Sequence, residues 1–185
     1  MNQFTIGLLL WIFMILPPVS NLLESIMIMH MHMQMPLLVI AGFLMAKYFQ
    51  QRFPHFFEKW NSNGFPGMLL FIIIMVYWMI PRTMDDALVL TSVQVFKFIS
   101  LPFLAGIPLR DSWPKLSKAW KIVIITIFTL MFFAMGFLYI FSPEQLCNNY
   151  LVIEQVTLGW GFITMAICMV IYLLYDAIVD PADYK

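Results

Sequence analysis

The sequence predicts an all-α, polytopic transmembrane bundle of about six helices, and three observations carry that prediction. Of the 185 residues, 62% are hydrophobic and only 11% are charged, where a soluble domain has about half apolar and a quarter charged usage. The mean hydropathy is +0.87. Apolar stretches recur at lengths near the roughly 20 residues that a helix needs to cross the hydrocarbon core. Lys and Arg gather in alternate loops between those stretches, as the positive-inside rule demands of a polytopic chain.

The first span is expected at about 3–16 and is short, ending at Pro17-Pro18. No Lys or Arg precedes its apolar run and no small-residue cleavage site follows, so a retained helix is expected rather than a removed signal peptide. The second span covers about 21–47, and Ser25 to Ala46 carry no formal charge. The third covers 65–81. The fourth covers 84–109 and contains Lys97, Pro102 and Pro108. The fifth, 118–142, has an uncharged core from Ile122 to Phe141, and the sixth, 150–176, has one from Gln155 to Tyr175. No long hydrophilic linker interrupts the chain, so residues 1–185 read as a single integral membrane domain.

Orientation follows from the basic residues. Lys47, Arg52 and Lys59 lie between the second and third spans, and Arg110, Lys115, Lys118 and Lys121 between the fourth and fifth. Two helices separate these loops, so both can be cytoplasmic, and six spans then put both termini in the cytoplasm. The other loops share the outer face, expected to be the periplasmic or extracellular side of a bacterial inner (plasma) membrane.

On that face the second span opens with Glu24, Met27, Met29, His30, Met31, His32, Met33, Gln34 and Met35. At 100° per residue, Glu24, Met27, Met31, Gln34 and Met35 share one helix face, His30 and His32 flank it on opposite sides, and Met29 and Met33 point away. Thioether and imidazole together suit Cu(I), and the spacing offers few carboxylates to Zn or Fe(II). Methionine also serves as an apolar filler in a chain with 16 of them. Histidine within a span is costlier and points to function.

Glu24 and Asp86 stand in capping-box patterns, Asn21-x-x-Glu24 and Thr83-x-x-Asp86, with a third at Ser142-x-x-Gln145. They can therefore simply begin helices. Asp85 and Glu154 lack that role and could pair with Arg82. Lys97, near the middle of the fourth span, needs a carboxylate or carbonyl from protein, in this chain or a partner subunit. Pro102 frees a carbonyl that needs a donor of its own.

The chain has no basic run and zero net charge, which excludes nucleic acid as a partner. No phosphate loop, nucleophile–base constellation or H-E-x-x-H is present, so no enzyme activity is expected. Cys147 and Cys168 form no CxxC. A b-type haem would want ligands on two facing helices, and the intramembrane histidines share one.

Four stretches resemble, in order, the CtaG family of cytochrome c oxidase assembly factors. Leu16-Pro17-Pro18-Val19 through Glu24 is similar to the family's Ser-Pro-Leu-Asp entry, and His30 to Met35 to its H-M-x-x-H-M. Trp78-Met79-Ile80-Pro81 through Leu88 resembles W-H-x-P-x-x-Y-D-A-A-L, and Glu154-Gln155 with Gly159-Trp160 resembles D-Q-x-x-G-G. Gln34 and Met79 stand where the family has histidines, and the family's histidines on the helix after the aspartate have no counterpart in the Val95–Ile99 region, where Lys97 appears instead. The resemblance, to a short and divergent member, implies a copper-related polytopic protein. Its metal set would be His30, Met31, His32, Met35 and Met79, with Glu24, Gln34, Asp85, Asp86, Glu154 and Lys97 as supporting polar groups.

Two functions are thus expected. One is a copper-handling assembly factor that holds Cu(I) at the outer face for a copper-dependent membrane oxidase. The other is a non-catalytic accessory subunit of a membrane oxidase or oxygenase complex with a decayed metal site, to which Lys97 would offer a partner-dependent charge. Lipid and oxidase or oxygenase subunits are the implied partners.

Overall fold

The computed structural model describes residues 2–179, and among them every regular element is a helix, with no strand. The helices are α1 (Gln3–Ile15), α2 (Pro17–Glu24), α3 (Met27–Arg52), α4 (Pro54–Trp60), α5 (Phe65–Met79), α6 (Pro81–Val89), α7 (Thr91–Lys115), α8 (Lys118–Phe141) and α9 (Val152–Ile178). Four of them, α3, α7, α8 and α9, are long and apolar enough to cross a membrane. There are up to six spans if α1 with α2 (bent by 71°) and α4 with α5 (bent by 86°) each count as one. The chain is an all-α membrane protein. The carboxyl-terminal end assigned to the cytoplasm lies outside the described residues.

Two predicted spans are broken where prolines restart the helix. Pro17 and Pro18 fit a first helical turn, where no N–H is needed, and force Leu16 out of the helical region, to ψ 126°. Residues 17–24 therefore form α2, and an extended Ile26 separates it from α3. Glu24 closes α2; it does not open the second span, and the capping box at Asn21 does not form. In the same way Pro81 opens α6, whose N-cap is Ile80, so Thr83 and Asp86 form no capping box either. Leu90 is extended, and the fourth span begins at Thr91 and runs on to Lys115. Ser142 ends α8 instead of starting a helix.

The two central spans each carry a widened π-helical segment, His30–Gln34 in α3 and Ser100–Gly106 in α7. Pro36 closely follows the first and Pro102 lies within the second, and neither proline can donate to the carbonyl four residues back. For Pro102 that carbonyl belongs to Phe98, and Trp11 of α1 donates its Nε1–H to it at 2.8 Å. The expected donor is thus an indole on a neighbouring helix.

Burial separates core from periphery. Half of the apolar window is buried in α3 and in α7, but only 33% in α8 and 22% in α9. The last two pair as a hairpin and present Leu130, Phe137, Phe141, Trp160, Ile171 and Leu174 outward, a surface suited to lipid contact. At the centre α3 and α7 cross backbone to backbone. A Cβ on Gly42 would land on the Pro102 carbonyl, and one on Gly106 would land on the carbonyl of Val39. Small residues permit this approach, as in other membrane helix pairs.

The two ends of the bundle are pinned by polar side chains. At one end Asp111 accepts from Gln50 (2.8 Å), Asn61 (2.6 Å) and Lys115 (2.7 Å), tying the end of α7 to the end of α3 and to the turn after α4. At the other, Asp85 of α6 accepts from the backbone N–H groups of Asn148 (2.6 Å) and Asn149 (3.3 Å) in the α8–α9 loop. The three segments expected to share a face, around Glu24, Asp85 and Glu154, do meet at that second end.

Gly42→Ala and Gly106→Ala are each expected to force the crossing apart and to destabilise by about 1–3 kcal/mol, the usual range for overpacking. Lowered thermal midpoints in detergent would register this, with Gly7→Ala, on the less central α1, losing less.

Candidate functional site

Lys97 is fully buried on α7 and is surrounded by side chains from α2 and α3. Its Nζ donates to Glu24 Oε1 at 2.6 Å, to Gln34 Oε1 at 3.0 Å and to His30 Nε2 at 3.1 Å. Those three bonds use all three ammonium hydrogens. Glu24 also accepts from Ser20 Oγ at 2.7 Å, Gln34 Nε2 at 3.1 Å and Gln94 Nε2 at 3.1 Å. The break at Ile26 aims Glu24 back toward α7. Positions 30 and 34, one turn apart on α3, project to the same side.

The tautomer of His30 follows from its neighbours. Tyr150, in the α8–α9 loop, donates its O–H to the backbone carbonyl of Glu24 at 2.7 Å. Its oxygen is then an acceptor, so His30 Nδ1, 3.0 Å away, must be the donor. His30 Nε2 therefore turns its lone pair to the Lys97 ammonium. Both ring nitrogens are committed, and a second cation at Nε2 would meet that ammonium. Burial, and next the Glu24 charge, push the Tyr150 hydroxyl above its ordinary range, so it stays a donor at physiological pH.

His32 faces the other way. With Met31, Met35, Met75, Met79 and Met165 it lines a cavity of about 50 Å³ between α3, α5 and α9. Neither of its ring nitrogens has a hydrogen-bond partner among the described residues, although both are buried. The ring lies 4.7 Å from that of Phe162, centroid to centroid. It fits against α9 because residue 161 is glycine: a Cβ there would come within 3.3 Å of His32 Nε2.

Of the expected metal residues, Met31, His32, Met35 and Met79 thus share one cavity. His30 does not join them, because Lys97 and Tyr150 hold it on the opposite side of α3. Glu24, Gln34 and Lys97 form the ionic cluster, and Lys97 finds its carboxylate within this chain without a partner subunit. Asp85 clamps the α8–α9 loop and does not pair with Arg82. Nor does Glu154, whose carboxylate accepts the N–H of Leu151 at 2.9 Å at the start of α9. Asp86 makes no ion pair among the described residues.

The structure adds Ser20, Gln94 and Tyr150 to the cluster, and Met75 and Met165 to the cavity. Met75 lies one turn before Met79, a spacing visible in the sequence. Nothing local marks the others. Among the described residues no group of three or more His, Cys, Asp or Glu is placed to hold a metal ion. Any metal near His32 would therefore rest on thioethers. No family model, curated protein or solved structure matches the chain.

Truncating Lys97 to Ala leaves the Glu24 carboxylate buried and unpaired, and is expected to destabilise by about 3–5 kcal/mol. Lys97→Met with Glu24→Gln removes both charges and should lose much less. Thermal unfolding of the two variants in detergent measures the difference. A second expectation concerns Cys147, which is buried in the α8–α9 loop. Burial, and next the Asp85 charge, push its thiol up to about 12 from an ordinary 9.0. It should resist maleimide at pH 7–8 in the folded protein and react once the chain is unfolded at the same pH.

Proposed function

We propose that this chain is a copper-handling membrane assembly factor, which holds Cu(I) in the thioether cavity at His32 for a copper-dependent membrane oxidase. The observation that carries the reading is the half-buried His32 imidazole, whose two buried ring nitrogens have no partner among the described residues, opening on a cavity lined by Met31, Met35, Met75, Met79 and Met165. A buried polar group without a partner is rare and calls for a ligand or a cost. Thioether sulfur and neutral imidazole are donors that soft Cu(I) accepts, whereas Zn favours thiolates beside imidazole and Mg favours carboxylates, and no Cys, Asp or Glu lines this cavity. The donor set fits the metal on the His32 side and not on the His30 side, where an ammonium already sits.

The resemblance of residues 16–165 to the CtaG family supports the oxidase as client. The distribution of Lys and Arg supports placing the basic loops in the cytoplasm and the cavity toward the outer face of a bacterial plasma membrane. In this reading the chain carries metal and catalyses no reaction. The alternative, an accessory subunit of an oxidase or oxygenase complex with a decayed metal site, is favoured by one observation: His30 and Gln34 are taken up by Lys97. A stable complex with oxidase subunits on gentle extraction, free of copper, would support that alternative.

The purified protein should bind one Cu(I) at micromolar or tighter affinity in competition with a colorimetric Cu(I) chelator. His32→Leu should abolish binding while leaving the thermal midpoint unchanged or raised, since no hydrogen bond is lost. His30→Ala should keep the site. Absence of Cu(I) binding, or binding that survives His32→Leu, overturns the reading.

A further inference from the structure

The surroundings of Lys97 have the form of a coordination sphere. Three acceptors of different chemistry converge on one positive centre: a carboxylate oxygen at 2.6 Å, an amide oxygen at 3.0 Å and an imidazole nitrogen at 3.1 Å. Each acceptor is oriented by a further bond. Glu24 is held by Ser20, Gln34 and Gln94, Gln34 by its own Nε2 on Glu24, and His30 by Tyr150. Second contacts of this kind are what fix ligand orientation around protein-bound metals. The imidazole presents a lone pair, as a metal ligand must, and the centre of the group is closed to solvent, with Lys97, His30 and Gln34 each fully buried.

We propose that the Lys97 ammonium is a tethered cation seated in a divalent-cation site formed by Glu24, His30 and Gln34. An untethered ion in that position would draw the three donors inward, toward the roughly 2.0–2.2 Å of Zn–N and Zn–O bonds. The space vacated by the lysine stem would admit a water as fourth ligand. In the native chain the tether makes this side of α3 independent of metal supply and keeps it closed to competing ions. It does not depend on copper at His32, and each can fail without the other.

The test is metal rescue of the full-length chain carrying Lys97→Ala. In the wild type neither Zn(II) nor a chelator should move the thermal midpoint. In Lys97→Ala, a low midpoint should rise by several degrees with excess Zn(II), because an ion that binds only the folded state stabilises it. Co(II) should give visible d–d absorption with nitrogen and oxygen ligation. Adding His30→Ala to Lys97→Ala should remove both responses, whereas adding His32→Leu should leave them. If Lys97→Ala cannot be purified without metal, its folded yield with and without Zn(II) during extraction becomes the readout, with Lys97→Asn as the second variant. If Zn(II) rescues neither variant, or if the wild type responds equally, the proposal is overturned.

Discussion

An ammonium group in the middle of an apolar bundle has to be neutralised and fully hydrogen-bonded, and most of this architecture serves that requirement at Lys97. Removing either charge from water costs several kcal/mol, and only close pairing with further hydrogen bonds offsets it. The α1–α2 bend and the break at Ile26 turn Glu24 inward to within 2.6 Å of the lysine. The π segment of α3 brings His30 and Gln34 to the same point. The α8–α9 loop is drawn in as well, because Tyr150 bridges His30 and the carbonyl of Glu24. Asp85 then holds that loop from α6. Four separate segments are fixed by one buried positive charge.

The same segment of α3 has two chemically opposite sides. Residues 30 and 34 enter an ionic cluster in which each of their polar side-chain atoms has a partner. Residue 32, rotated about 200° from residue 30 on an ideal helix, enters a cavity of thioethers and aromatic rings. The lysine thus sorts the two histidines. One is committed to structure, and the other is left with two free nitrogens in apolar surroundings. A hard ion and a soft ion would choose opposite sides of this helix.

The long spans were legible in the sequence because a bilayer imposes a length, and α8 and α9 match the expected 118–142 and 150–176 closely. The short helices were not, since hydropathy averages across the breaks at Ile26 and Leu90, and the chemistry of Pro17 and Pro81 decides them locally. Lys97 announced its need of a partner. Glu24 was hidden as that partner because Asn21-x-x-Glu24 also fits a helix start. Tyr150, Ser20 and Gln94 carry no periodic signal; only the folded topology brings them within reach. Helical register put His30 and His32 on opposite flanks, but which flank was ionic depended on where α7 packs.

The contrast between the histidines bears on why His32 is histidine at all. A leucine would fill that side of α3 without a buried polar group, and an imidazole with no partner costs about 1–3 kcal/mol. In the ionic cluster His30 offsets its burial with two hydrogen bonds, so its presence needs no ligand. His32 has no such compensation, and Gly161 leaves open the space its ring occupies. The five methionines around the cavity would by themselves be ordinary filler. In the copper proposal they become, next to an uncompensated imidazole, the remaining donors of a soft-metal set. The weight of the copper proposal therefore rests on one side chain, and the ionic cluster, by occupying the other histidine, is what isolates it.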